Sequence, residues 1–334
     1  MLQLGIRGFL RRHPAVCLLL LSPGIPEYLS GSSPLNAIIL NPLMFAFQLL
    51  ANLGLYGPGV LLVREAKVRW GKGWGTVLLL GAAYGILEEG VALSTLFNPT
   101  AGPVGALGAY GHWLGVNWVW VAGIIPVHMI YSISIPIMIL GLALPETNGR
   151  RFLEGRKLPA ALVILGTDVF ALFLLITLGV KFWMGTSVLI GSFLAIAALA
   201  ISARRVKSDV VHARPGLPKT GPRMMVALGV VFYPCVLLTE FLVKGTGAPA
   251  IVDFALVIAV QGLFLVYVLR VAGSTGNERN LVALAFGLIL PIAAFGVISE
   301  ASFPVPLLAD LVAGSFFLRL FKAVQGRGTM APDG

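Results

Sequence analysis

Long apolar runs, separated by small clusters of Lys and Arg, decide what this chain can become. A helix needs about 20 mostly apolar residues to cross the hydrocarbon core of a bilayer. Ten windows approach that length: Pro14–Tyr28, Leu35–Val63, Gly75–Phe97, Val116–Leu144, Leu158–Val180, Met184–Ile201, Met224–Val243, Ala248–Leu269, Leu281–Ser299 and Phe303–Leu320. Only 11% of the 334 residues are charged, against roughly 25% in soluble domains. So few charges cannot build a water-facing surface, which excludes a soluble enzyme, a nucleic-acid reader and a disordered tail. Cys17 and Cys235 lie within apolar stretches and offer neither a disulfide framework nor a CxxC metal pair. The sequence therefore reads as an all-α, polytopic membrane helix bundle, a single integral domain over residues 1–334.

Positive charge sets the topology. With the N-terminus inside, every Lys and Arg except Lys181 and Lys244 falls in an inner segment, out of 24 in the chain. Cytoplasmic loops carry such an excess, and one missed crossing would invert every later loop. The expectation is ten spans with both termini cytoplasmic in a plasma membrane. Trp70, Trp74, Trp113, Trp118, Trp120 and Trp183 all fall near the ends of the windows, where an amphipathic indole is most stable. Arg11-Arg12 ahead of Ala15–Leu21 also suits a signal peptide, but Pro23 and Pro26 interrupt the cleavage region, so a retained first span is expected. The inner loop 204–223 is basic and Pro-rich and reads as a solvated connector near anionic lipid.

Ionisable groups at membrane depth cost about 2.5–3.5 kcal/mol each on insertion scales and so mark function by default. Glu88 and Glu89 stand side by side in Gly81-Ala-Ala-Tyr-Gly85-Ile-Leu-Glu88-Glu89-Gly-Val-Ala92. Gly81 and Gly85 share a face with them at three-to-four spacing, and small residues there let a neighbouring helix come close. The carboxylates are thus expected to face the bundle interior. His128 is the one histidine within a window; His13 and His212 belong to inner segments and His112 to the outer loop. At 1.5 Å per residue, His128 lies roughly 18 Å and Glu88 roughly 14 Å from the outer ends of their consecutive spans. Pro126 would free a carbonyl beside the histidine. The region 75–144 is the candidate site-bearing part, with Glu88, Glu89 and His128 as candidate catalytic residues.

Other chemistries fit less well. No HExxH occurs, and one histidine with two carboxylates is a thin zinc shell, so no metal or cofactor is expected. Ser132, His128 and Asp168 could form a triad on paper, but no GxSxG-type elbow accompanies them. Asp168 and Asp253 read as solitary packing or proton-path groups. The outer loop Asn98–Gly115 has no charged residue and is rich in glycine; it reads as a flexible connector, or as a segment dipping over a cavity.

A Glu-Glu pair in one span and a histidine in the next, 39 residues later, resembles the CAAX-protease and bacteriocin-processing (CPBP) family of glutamate-dependent intramembrane peptidases. The resemblance covers about residues 75–140. Glu88-Glu89-Gly-Val-Ala-Leu93 is similar to the family's EExxxR, with leucine in place of arginine. Ile124 to His128 is similar to its FxxxH, and its third motif, HxxxN or HxxxD, has no counterpart. The resemblance implies that Glu88 activates water, His128 assists and Glu89 orients its neighbour, with a peptide or lipidated peptide as substrate. Two alternatives stay open: a transporter built as a five-plus-five inverted repeat, its first span interrupted at Ser22–Pro26, and a catalytically inactive scaffold of the same fold. The expected partners are the lipid bilayer and such a substrate, with no nucleic acid.

Overall fold

The computed structural model describes residues 11–207, 220–272, 278–300 and 305–328. Arg7, His212, Arg214 and Lys219, and with them most of the basic loop 204–223, lie outside the described residues. What is described is almost entirely helical: α1 (Pro14–Pro23), α2 (Ala37–Leu40), α3 (Pro42–Arg69), α4 (Trp74–Gly85), α5 (Trp118–Val127), α6 (Ile135–Ala143), α7 (Lys157–Leu174), α8 (Thr186–Arg205), α9 (Pro222–Gly245), α10 (Ala250–Ala272), α11 (Glu278–Ser299) and α12 (Val305–Gly328). Four wider, π-type segments extend these helices: Gly24–Leu29 after α1, Ile86–Ala92 after α4, His128–Ser134 between α5 and α6, and Leu175–Gly179 after α7.

Among the described residues, eight helical stretches are long and apolar enough to cross a membrane, and they coincide with eight of the ten windows. The first window forms the shorter apolar helix Pro14–Leu29. The tenth forms α12, which carries Asp310, Arg319 and Lys322 and is not among the eight. The expected break of the first span at Ser22–Pro26 does not occur: Pro23 ends α1 and the π-type segment carries the helix on to Leu29. The second window starts as α2, then α3 begins at Pro42 behind an Asn41 cap whose side chain accepts from Met44 N–H, 3.2 Å. Proline suits that position because its missing N–H would find no partner there.

Burial separates interior from periphery. The apolar windows of α7, α8 and α10 are 11% buried, whereas that of Trp74–Ala92 is 61% and that of Trp118–Ala143 is 56%. The helices bearing the glutamates and the histidine are therefore central, and the outer ring offers apolar side chains such as Leu162, Phe170, Leu194 and Leu263 to the surroundings. Exposed apolar area on this scale suits lipid, not water. One core packs Leu18, Tyr56, Val60, Val77, Tyr84 and Ile133; a second packs Tyr131, Phe232, Val282 and Leu288. Residues 128–134 contribute to both and so lie on the seam between them.

The basic segments gather at one end of the bundle. Arg64 donates to Arg150 O, Arg69 to Leu153 O and Lys72 to Val206 O, while Arg11 pairs with Glu146 at 3.6 Å. At the opposite end Lys244 donates to Ala106 O, and Glu300 accepts from Leu35 N–H and Asn36 N–H at 3.2 and 2.8 Å. The glycine-rich loop is ordered and does not dangle. A 3₁₀ turn (Gly102–Leu107) packs Val104 and Leu107 onto Val119, and a two-stranded hairpin follows, β1 (His112–Trp113) with β2 (Val116–Asn117). The hairpin turns through Leu114 and Gly115, both at positive φ (52° and 78°), the geometry that matches the twist of paired strands.

Candidate functional site

Glycine brings the two site-bearing helices together. A methyl group at Gly85 would stand 3.2 Å from His128 Cβ, and one at Gly81 would stand 3.1 Å from Met129 Cα. The absence of those side chains lets α4 lie directly on the His128 segment. Both the glutamates and the histidine sit on π-type segments, in which an extra residue per turn redirects side chains; such insertions recur at functional sites.

The three residues picked out by the sequence meet around one imidazole. Glu89 Oε1 lies 2.8 Å from His128 Nε2, and Glu88 Oε2 lies 3.0 Å from Nδ1. Neighbouring residues on a helix point in different directions, which is how adjacent carboxylates reach opposite edges of the same ring. All three are buried, with 1% of Glu88, 7% of Glu89 and 3% of His128 exposed.

Their second partners differ, and that difference separates their roles. Thr95 Oγ donates to Glu89 Oε2, and Trp120 Nε1 donates to Thr95 Oγ at 3.1 Å. Glu89 is therefore held at both oxygens. Ser132 Oγ lies 3.1 Å from His128 Nδ1 along the hydrogen-bonding direction, whereas Glu88 Oε2 lies off that direction and has no hydrogen-bond partner among the described residues. Glu88 thus combines full burial with an ion-pair contact to histidine. Thr95 reaches Glu89 because the third window ends early: Ser94 takes a left-handed conformation (φ 57°) just past Ala92 and turns residues 95–97 back under the helix.

Sequence reasoning missed part of this neighbourhood. The rings of Tyr56 and Tyr84 pack on His128, with centroids 6.2 and 6.3 Å away. Tyr56 donates its hydroxyl to Glu27 Oε1, 2.6 Å, and Ser33 donates to Glu27 Oε2, 2.8 Å. Glu27 lies next to Pro26, at the end of the shortest window, so it had the signature of a loop residue. Asp168 is not part of the cluster's contacts: its carboxylate lies against Gly54, where a methyl group would stand 2.8 Å from Oδ1. The paper triad therefore lacks its acid. Asp253 and Glu240 are buried elsewhere, and each has at least one oxygen without a hydrogen-bond partner among the described residues.

Glu88, Glu89 and His128 each present one ligand atom within 4.8 Å of the others, a spacing suited to a divalent ion. Both imidazole nitrogens, however, already face protein groups, Glu89 and Ser132. A metal ion would have to displace one of them. A groove of about 390 Å³ between α7, α8 and the back of the Glu88 segment is lined by Leu87, Val91, Leu165, Val169 and Leu189 and offers no charged group.

No family model matches the chain, and no curated protein or solved structure shows significant similarity to it.

Proposed function

We propose that the chain is an intramembrane hydrolase of the plasma membrane, with ten crossings and both termini cytoplasmic, cleaving a peptide or lipidated peptide by general-base activation of water. The observation that carries this reading is Glu88 Oε2, buried, without a hydrogen-bond partner and 3.0 Å from His128 Nδ1. In the reaction Glu88 takes a proton from water and the resulting hydroxide adds to the amide carbonyl carbon. Collapse of the tetrahedral adduct breaks the C–N bond, and the proton passes to the leaving amine through Glu88 or His128. Glu89, tied to Thr95, fixes the imidazole in place and offsets any positive charge it gains. General-base catalysis of this kind typically supplies 10²–10⁴-fold. The likeness to glutamate-dependent peptidases points the same way, through Glu88, Glu89 and His128.

The test is cleavage of membrane-helix peptides by purified protein in lipid discs, read by mass spectrometry. Glu88→Gln keeps the shape and removes the base, so it is expected to fold and lose cleavage by roughly 10²-fold or more. His128→Ala acts on the same step, so the double variant should be little worse than either single one. A chelator should leave cleavage unchanged. Full activity in both single variants overturns the reading, and loss on chelation with recovery on adding a divalent ion replaces the base by a metal.

A proton-coupled carrier is the second reading, favoured by the further buried carboxyls Glu240 and Asp253 on α9 and α10. It predicts substrate movement that tracks a pH gradient, with no cleaved product in any variant.

A further inference from the structure

Water chemistry at Glu88 needs a way for water and protons to reach a cluster that the two cores enclose. Two apolar grooves among the described residues do not provide one. The first is the apolar groove behind Glu88, and the second is lined by Leu78, Ile130, Met138, Phe264 and Leu288, with Ser134 as its one hydroxyl. A different lane carries polar groups as far as the Tyr56 hydroxyl. It starts at the turn Ser30–Ser33, whose Ser32 is exposed, at the end of the bundle where Glu300 accepts from Leu35 and Asn36. Ser33 leads to Glu27, which is half-buried. Asn52 Nδ2 donates to Ser33 Oγ at 3.0 Å and so braces the same turn from α3. Glu27 leads to Tyr56, and the Tyr56 ring rests on His128.

Tyr56 is the wall between the two ends of that lane. Its side chain is 2% exposed, one face packs on His128 and its hydroxyl points away to Glu27. Two different helices supply the pair, 29 residues apart in sequence, so the bond ties α3 to the π-type segment Gly24–Leu29. Tyr84 also packs on His128, but its hydroxyl lies toward Glu88 and makes no hydrogen bond to Glu27. Of the two rings over the histidine, Tyr56 is the one tied to Glu27.

We propose that Tyr56 is the door of the site and Glu27 its latch, closing a polar port that leads from the Ser30–Ser33 turn to His128 and Glu88. Glu27 acts through Tyr56 and is a positioning residue. The proposal rests on reading the Glu88 cluster as a place of water chemistry, but its test needs no turnover.

Diethylpyrocarbonate, a water-borne reagent, acylates neutral imidazole; its rate at His128 is read by mass spectrometry of the peptide that contains it. The full-length protein in lipid discs is compared with Tyr56→Phe, Glu27→Ala, Ser33→Ala and Tyr84→Phe. Tyr56→Phe and Glu27→Ala both remove a hydrogen bond to a carboxylate and should speed His128 labelling about tenfold or more. Ser33→Ala, which frees one oxygen of Glu27, should give an intermediate rate. Tyr84→Phe should label like the parent, and His112, at the hairpin, should label equally in all five. Unchanged His128 labelling in both latch variants overturns the port, and so does equal acceleration in Tyr84→Phe, which would mark general loosening. If Glu27→Ala does not fold, the isosteric Tyr56→Phe decides alone. Faster labelling with no cleavage by the parent protein keeps the port and removes the hydrolase. Cleavage with unchanged labelling does the reverse.

Discussion

Glu89 Oε1 and His128 Nε2 lie 2.8 Å apart although 39 residues separate them in the chain, and Thr95 holds the other oxygen of Glu89 from the turn that follows it. Glu89 is thus a brace. Glu89→Ala leaves a buried imidazole nitrogen without its acceptor, and the buried Thr95 hydroxyl with only its 3.3 Å bond to the residue-89 backbone oxygen, which should cost about 1–3 kcal/mol. Glu89→Gln keeps an oxygen for one of them and should cost less. Unfolding in detergent measures both. Equal losses would show that the charge of Glu89, not its hydrogen bonds, holds the site together.

The close approach of α4 to the histidine segment can be tested at Gly85. A methyl group there would already stand 3.2 Å from His128 Cβ and 3.3 Å from Ile125 Cδ1, so the branched side chain of Gly85→Val must force the helices apart. Overpacking of that kind costs about 1–3 kcal/mol. Gly102→Val, in the 3₁₀ turn, meets nothing within 4 Å and serves as the control. Cysteine cross-linking between the two helices should fall in Gly85→Val and stay unchanged in the control. Parent-like cross-linking in Gly85→Val would mean that the packing relaxes without separating the site.

The distinction between these two kinds of residue explains what the sequence made legible. Glu88, Glu89 and His128 stand out because charge at membrane depth is costly and rare, and Gly81 and Gly85 because a helix face repeats every three to four residues. Neutral hydroxyls carry no such signal: Tyr56 and Thr95 read as ordinary members of apolar spans, and only the fold brings them to the cluster. Glu27 was hidden by its prolines, since Pro23 and Pro26 suggest a broken span where the chain continues as a π-type helix. The same limit applies to the segments at 86–92 and 128–134. Periodicity over one turn cannot separate 3.6 residues per turn from a slightly wider coil, yet that coil is what aims Glu88 and His128.

At the basic end, Glu65 is the fastener. It is 1% exposed and accepts from Arg69 Nε (2.8 Å), Phe152 N–H (2.8 Å) and Leu153 N–H (3.2 Å), while the Arg64 guanidinium lies 3.4 Å above the Phe152 ring. Breaking a buried ion pair by removing one partner costs about 3–5 kcal/mol. Glu65→Ala should lose stability on that scale and expose the 150–153 segment to protease. A loss below about 1 kcal/mol would place the segment's anchoring in Arg64 instead.

The hairpin at residues 112–117 should respond to acid. Partial burial lowers the pKa of His112 from its ordinary 6.5, and its Nε2 has no hydrogen-bond partner among the described residues. The unfolded hairpin therefore binds a proton more readily than the folded one. The stabilising contribution is fully present above about pH 6.5 and is lost as pH falls through the lowered folded value. Amide exchange over residues 112–118, corrected for intrinsic rates, should accelerate between pH 7.5 and 5.5. His112→Gln should remove the pH dependence; persistence of it in that variant would assign the effect to another group.

Topology gives the broadest test, because the structure fixes which loops share an end while the charge rule says which side each end faces. Arg64, Arg69, Arg150 and Lys72 meet at one end and Lys244 meets the 102–107 turn at the other. If positive charge sets orientation, the first group faces the cytoplasm. Reporter fusions after Lys244 and after Arg279 should then lie on opposite sides, outside and inside respectively, because α10 runs between them. A membrane-impermeant thiol reagent on intact cells, with Cys17 and Cys235 replaced by Ala, should label Gly247→Cys and spare Gly149→Cys. Labelling both from outside would mean that the bundle ends do not map onto membrane sides. The reversed pattern would keep the fold and invert the protein, and with it the side on which the proposed port opens.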